Sequence, residues 1–274
     1  RQRQMCIRDS LGSVGTVFGA VVTATIFMAA VVIPYLSITL AAMTILRSAP
    51  PTLDNLTFDY FSIVVQMPTA QEALIRSIGL GALGATAAVA LGVLVTVLTR
   101  RQSTITAKFS DFLAIAPDTV PGIVLAIGFI LLWNSPWLPW SPYGTMGMLV
   151  MAFTVLFLPM AIQNIKASAE SVSPTVYEAA AISGSSTLHT FGRITLPLLA
   201  PGIFAGWLLA FFVGIRELVM SSLIRPSQVN LLAPWIMNQF DQGHRAEAMA
   251  MTLIGVGTST VVLVAITWWQ NRKA

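Results

Sequence analysis

The ionisable side chains are few enough to weigh one at a time. Asp118, Arg216 and Glu217 fall inside long apolar runs, where a charge costs about 2.5–3.5 kcal/mol on insertion scales. Each is a candidate for contact with a solute crossing the membrane, weighed against a plainer role as a snorkelling side chain or a helix–helix ion pair. His244 has Asp241 and Glu247 nearby, a thin metal-ligating set with a solvated loop as the alternative; His189 is the other histidine. Gly79, Gly81 and Gly84 spell G-x-G-x-x-G. That pattern holds a pyrophosphate only after a strand and with a ribose-binding acid further on. Here it lies in an apolar run with no acid before Asp111, so close helix packing accounts for it better. No phosphate-loop lysine motif occurs, so this chain is not expected to bind ATP itself. Cys6 is the single cysteine, which excludes disulfides within the chain and multi-cysteine metal centres. The twelve methionines form no thioether ladder and read as apolar packing. No catalytic residue, resident metal or cofactor is expected. The chemistry on offer is binding and mechanical coupling.

One spacing is far more specific. Glu178-Ala179-Ala180 is followed after three residues by Gly184, and after nine more by Ile194, Leu196 and Pro197. Tyr177 to Ser183 favours a helix, with Glu178 near its positive end. Gly184 permits a turn that a side chain would hinder. A second short helix follows, and Pro197 suits the first turn of a longer one, where a missing N–H costs nothing. Tyr177, Ala181 and Ile182 give the first short helix an apolar side able to fill a groove on a soluble partner. The plainer alternative is an amphipathic connector lying on the membrane.

The elements that must position these residues are spanning helices. Of 274 residues, 55% are hydrophobic and 9% charged, against about 25% charged in soluble domains. Mean hydropathy is +0.78. A soluble fold could not hide that much apolar surface, so the chain is an integral membrane protein of all-α class with about six spans. The net charge of +4 lies mostly in short links and reads as a topology signal. No basic face with interleaved aromatics occurs, so nucleic acid is not an expected partner.

Apolar runs of about 20 residues mark the spans. They are expected near Val17–Leu40 with a kink at Pro34, Ser77–Thr99, Phe112–Trp133, Thr145–Gln163, Pro197–Leu223 and Ala248–Gln270. Arg47–Arg76 and Arg225–Glu247 read as polar links, and Asn134–Gly144, with Trp137, Trp140 and Tyr143, as an interfacial turn. On this reading Asp118 lies about two turns into the third helix from the cytoplasmic side. Arg216 and Glu217 lie about 27–30 Å along the fifth. One side of the membrane receives Arg100, Arg101, Lys108, Lys166, Arg193, Arg272 and Lys273; the other receives Arg47, Arg76, Arg225 and Arg245. The excess places both termini and the Lys166–Arg193 loop in the cytoplasm. Arg1–Ser10 matches nothing downstream and resembles a translated sequencing-adapter scar, so it is set aside. Residues 11–274 read as one transmembrane domain, with a coupling loop at about 166–197.

The Glu178–Pro197 pattern resembles the EAA signature of type I ABC importer permeases, matched at seven fixed positions. Leu56–Phe61 and Ala116–Ala126 look like the same family. Arg216-Glu217-Leu218, with Ala246-Glu247-Ala248, resembles its ferric iron, aminoethylphosphonate, thiamine and polyamine group. Asp118 departs from the apolar or small residue expected there. The resemblance implies a bacterial inner-membrane subunit that couples through Tyr177, Glu178, Ala179, Ala180, Gly184, Ile194, Leu196 and Pro197 to a cytoplasmic ABC ATPase dimer. It also implies a substrate-binding protein and a second permease copy or fused permease half as partners. Several iron-type permeases fuse two such halves; this chain looks like a second half, with a complete subunit as the alternative, and with Arg1–Ser10 set aside its natural start would be missing. Ferric iron is the leading cargo, with polyamine, aminoethylphosphonate or thiamine as alternatives. The rivals from other classes are an ion-driven secondary transporter, which predicts an internal repeat and leaves the motif unexplained, and a membrane scaffold with no associated ATPase.

Overall fold

Pairs of small residues let three helices approach closely and form the centre of the molecule. The computed structural model describes residues 13–46, 48–50, 52–99 and 104–272. Arg1–Ser10 with Cys6, and also Arg47, Arg100, Arg101 and Lys273, lie outside the described residues. The central helices are α4 (Pro68–Thr99), α7 (Met146–Glu170) and α10 (Leu196–Ile215). A Cβ on Gly84 would lie 2.7 Å from Phe153 Cβ, and one on Gly92 would lie 3.0 Å from Ile165 Cδ1. Contacts that advance together in this way make α4 and α7 parallel. On α10 the order reverses: Gly202 faces Asn164 and Ser168, Gly206 faces Ala161, and Gly214 faces Phe157 and Gly81. Gly81 and Gly84 therefore serve packing, as the sequence suggested. A Cβ on Gly79, by contrast, would meet nothing within 4 Å.

Because α4 and α7 are parallel, the chain between them must recross the bundle. It does so through α5 (Thr104–Thr119) and α6 (Gly122–Trp133), bent 113° at Val120–Pro121. This corrects the expected unbroken third helix. Pro121 lacks an N–H and forces Val120 out of the helical region. Pro121 O then accepts from Val124 N at 2.9 Å, opening the next helix. Five helices are long and apolar enough to span, six crossings if the bent pair is one.

The first span joins α1 (Ser13–Phe27) to α2 (Ile33–Met43) through a π-helical turn, Met28–Val32. A second π turn, Phe191–Thr195, precedes α10. Each ends two residues before a proline, Pro34 or Pro197. The proline ring would clash with the carbonyl four residues back, and the wider turn absorbs it without breaking the rod. Pro197 thus sits in the first turn of α10, as expected, although that helix runs on from the preceding turns as one rod from Thr187 to Ile215. The last span, α13 (Arg245–Asn271), packs against α2 and against α3 (Asp59–Gln66).

Both polar links contain more helix than the sequence suggested. α4 starts nine residues before Ser77 and carries the Glu72–Arg76 ion pair on its first turns. The fourth span continues past Gln163 to Glu170. The second link holds α12 (Leu232–Asp241), whose Leu232, Pro234 and Trp235 are buried. That link is fastened to the start of α4. Leu232 N donates to Ser77 Oγ at 2.7 Å, Trp235 Nε1 donates to Thr69 Oγ1 at 3.2 Å, and Asn230 Nδ2 donates to Glu72 Oε2 at 2.9 Å.

Candidate functional site: a coupling elbow and two broken helices

The loop after α7 folds into two short helices, α8 (Thr175–Ile182) and α9 (Thr187–Thr190). The turn between them closes by a paired hydrogen-bond pattern. Gly184 N donates to Ala181 O at 3.0 Å, and Ser185 N donates to Ala180 O at 3.1 Å. This is the Schellman arrangement, which needs a left-handed residue after the helix. Gly184 supplies it with φ +72°. Ser186 then caps α9, its Oγ accepting from His189 N at 3.3 Å. That cap was not expected from the sequence, although a serine just past a glycine turn is a signal for one.

The motif residues divide by exposure. Ala180 is buried, Tyr177 and Ile194 are half-buried, and Glu178, Ala179, Gly184, Leu196 and Pro197 are exposed. Ala179, Ala180, Gly184 and Ile194 come together with Ser186 and His189 around one open cleft of about 710 Å³. Leu196 and Pro197 lie outside it. The expected apolar face needs one correction. Tyr177 turns partly inward because it lies between exposed Ala181 and buried Ala180, its neighbours at four and three residues on the same helix side. The strongest outward apolar groups are Ile182, 88% exposed, and Leu188, 83% exposed. Leu188 was not foreseen; an apolar residue between two polar helix ends was the only sign of it.

The path candidates lie at two helix breaks that adjoin one another. Asp118 is exposed in the last turn of α5. It is about 21 Å along that helix from Thr104, not two turns in, because α5 starts eight residues earlier than Phe112. The fifth span does not run to Leu223. It stops at Ile215, and α11 (Val219–Ile224) begins after Leu218. A Cβ on Gly122, just past the elbow, would lie 3.9 Å from Val219 Cγ1, just past this second break. Glu217 folds back on α11: Oε1 accepts from Met220 N at 2.9 Å, and Oε2 accepts from Ser221 N at 2.8 Å and Ser221 Oγ at 3.0 Å. It satisfies the open donors of that helix start. Arg216 is exposed; its Nε donates to Phe212 O at 3.3 Å. It rims an apolar cavity of about 330 Å³ with Leu232, Ile236 and Phe240. Among the described residues neither Arg216 nor Asp118 forms an ion pair. His244 Nδ1 lies 3.0 Å from Gln239 Oε1.

Comparison with known proteins agrees with this geometry. A family profile described as "Binding-protein-dependent transport system inner membrane component" matches residues 88–274. The putative 2-aminoethylphosphonate transport system permease protein PhnV of Salmonella choleraesuis is 23% identical over 207 residues, covering 74% of this chain and 77% of that one. The Fe(3+)-transport system permease protein FbpB 2 of Haemophilus influenzae is 29% identical over 135 residues, covering 49% of this chain and 26% of that one. Among solved structures, a bacterial ABC transporter involved in import of the acidic polysaccharide alginate superposes with a TM-score of 0.72 at 16% identity. That match covers 94% of this chain and 95% of that one, a likeness of fold.

Proposed function

The chain belongs to the family of inner-membrane components of binding-protein-dependent transport systems, and we propose on that premise how its parts divide the work of an ABC importer. It is a multi-pass permease and a transport component. The α8–α9 elbow docks in a cleft of a cytoplasmic ABC ATPase, whose dimer carries out hydrolysis. A binding protein delivers cargo at the opposite end of the bundle, and a second permease copy or fused half completes the path. Both ends of the described chain lie on the elbow side, since six crossings separate them. The observation that carries the docking is the pair of outward apolar side chains, Ile182 and Leu188, on an elbow made rigid by its glycine turn.

Three cargo readings have support among the relatives. Ferric iron rests on the Arg216-Glu217-Leu218 resemblance and on the FbpB 2 likeness over 49% of the chain. A phosphonate-type solute has a likeness over 74% of the chain, and an open cavity lined by Arg76 and Arg225 lies at the end where cargo would arrive. A polyamine has a likeness of equal extent, to a putrescine transport system permease protein over 74% of the chain, but a positive cavity does not suit a cation. The phosphonate-type solute is therefore the better supported by geometry, and thiamine has only the sequence resemblance.

The test replaces Ile182 and Leu188 by Asp, singly and together. Both positions are surface groups, so insertion and span packing should persist. The ATPase subunit should no longer co-purify, and uptake should stop. Co-purification of the ATPase with the double variant at wild-type level would remove the elbow from the coupling role.

A further inference from the structure

The turn Pro226–Val229 holds two guanidinium groups against one volume. Val229 N donates to Pro226 O at 3.0 Å and closes the turn. Its last two carbonyls are then claimed by different arginines. Arg76 Nη1, from α4, donates to Gln228 O at 3.5 Å, and Arg225 Nη1 donates to Val229 O at 2.7 Å. Both cations are therefore tied to the same turn. Both line an open cavity of about 680 Å³, together with Tyr143, Gly144 and Ser227. Among the described residues no Asp or Glu lines it.

The charge there is unbalanced. Among the described residues Glu72 is the one carboxylate paired with either arginine, and both its oxygens are occupied: Oε1 by Arg76 and Oε2 by Asn230 Nδ2 at 2.9 Å. Within the same set Arg225 forms no ion pair, and its Nε is buried without a hydrogen-bond partner. A half-buried guanidinium without a counter-ion is costly to the fold. Its planar fork is also the group best matched to a carboxylate or phosphate-like anion. We propose that this cavity is an oxyanion site, which takes a phosphonate, phosphate or carboxylate group between Arg76 and Arg225.

The site lies at the start of α4, the end of the bundle away from the α8–α9 elbow. Under the importer reading, on which this placement rests, cargo enters there. A net positive mouth raises the local concentration of anions and repels cations, so the site favours a small anionic solute over a metal cation or a polyamine. A phospholipid headgroup offers the same chemistry, and Trp133 and Trp140, whose rings meet edge to face at 6.0 Å, are of the type that favours the headgroup level.

The experiment uses the full chain in nanodiscs of phosphatidylcholine, without ATPase or binding protein, titrated with methylphosphonate and followed by 31P NMR. Saturable binding is expected. It should weaken about tenfold or more in R225Q, as losing a charge-assisted contact implies. R225K, which keeps the charge but loses the fork, should fall between. R245Q, a cation at the same end outside the cavity, should bind as wild type. Sulfate should compete and putrescine should not. A second arm uses discs containing phosphatidylglycerol and measures by mass spectrometry the lipid retained after mild delipidation. Arg225-dependent lipid retention in place of methylphosphonate binding would overturn the cargo assignment and give the site to a headgroup. Absence of Arg225-dependent binding of either would overturn the site itself. Failure here leaves ATPase coupling untouched, and loss of ATPase coupling leaves this titration standing, so the two readings fail separately.

Discussion

Glu217 shows how far residue type alone can carry an argument. An acid in an apolar run is a fair candidate for cargo contact, and the geometry adds a second role, since its carboxylate closes the open start of α11. That capping role was hidden in the sequence because it exists only if the helix stops at Ile215, and nothing in Gly214–Leu218 demands a stop. If capping is the main role, Glu217→Ala should destabilise the solubilised protein by about 1 kcal/mol, read as a lowered melting temperature, with uptake falling in proportion to folded protein. If the residue also meets cargo, Glu217→Gln should insert normally yet lose uptake beyond what its melting shift explains. Unchanged uptake in both variants would remove it from the path. Gly184 is the opposite case, since its turn was legible in the sequence. A turn residue after a short helix must be left-handed, and its φ is +72°. Gly184→Ala should cost about 1 kcal/mol locally. It should lower ATPase stimulation by permease while leaving the spans intact, a difference that vesicle ATPase assays would read.

At the scale of elements, three glycines of α4 that look alike in sequence behave differently. Gly81 and Gly84 face other helices, whereas Gly79 faces open space. Periodicity cannot separate them, because α4 is apolar on every side and gives no stripe to orient it. The same holds for α10. A Cβ on Gly202 would come within 2.3 Å of Asn164 O, a backbone atom that cannot swing away. Gly202→Ala should therefore destabilise by about 1–3 kcal/mol. Gly79→Ala should be neutral or gain up to about 1 kcal/mol from helix propensity. Thermal melts of the two purified variants check the contrast, and equal shifts would contradict the close α7–α10 packing. The elbow at Val120–Pro121 was missed for a related reason. Hydropathy counts residues between charges and is blind to direction, so a run bent by 113° reads as one straight span. The prolines were visible in the sequence; which of them turns the chain was not.

At the scale of the whole molecule, composition was decisive and topology followed from contacts. A chain with 9% charged residues has no soluble solution, and the coupling motif marked the end of the bundle proposed to meet a motor. The order of helices came only from pairings such as Gly84 with Phe153 and Gly202 with Asn164. These make α4 and α7 parallel and α10 antiparallel. Parallel neighbours force a crossing between them, and the bent α5–α6 pair supplies it. The elbow at Ile182 and the turn at Ser227 must then lie on opposite faces of the membrane. Single cysteines at these positions, in a Cys6→Ser background, should show this directly. Ser227→Cys should react with a membrane-impermeant maleimide on intact cells. Ile182→Cys should react only after permeabilisation, and should be protected when the ATPase is present, because the same side chain is both the marker of the inner face and the proposed contact with the motor.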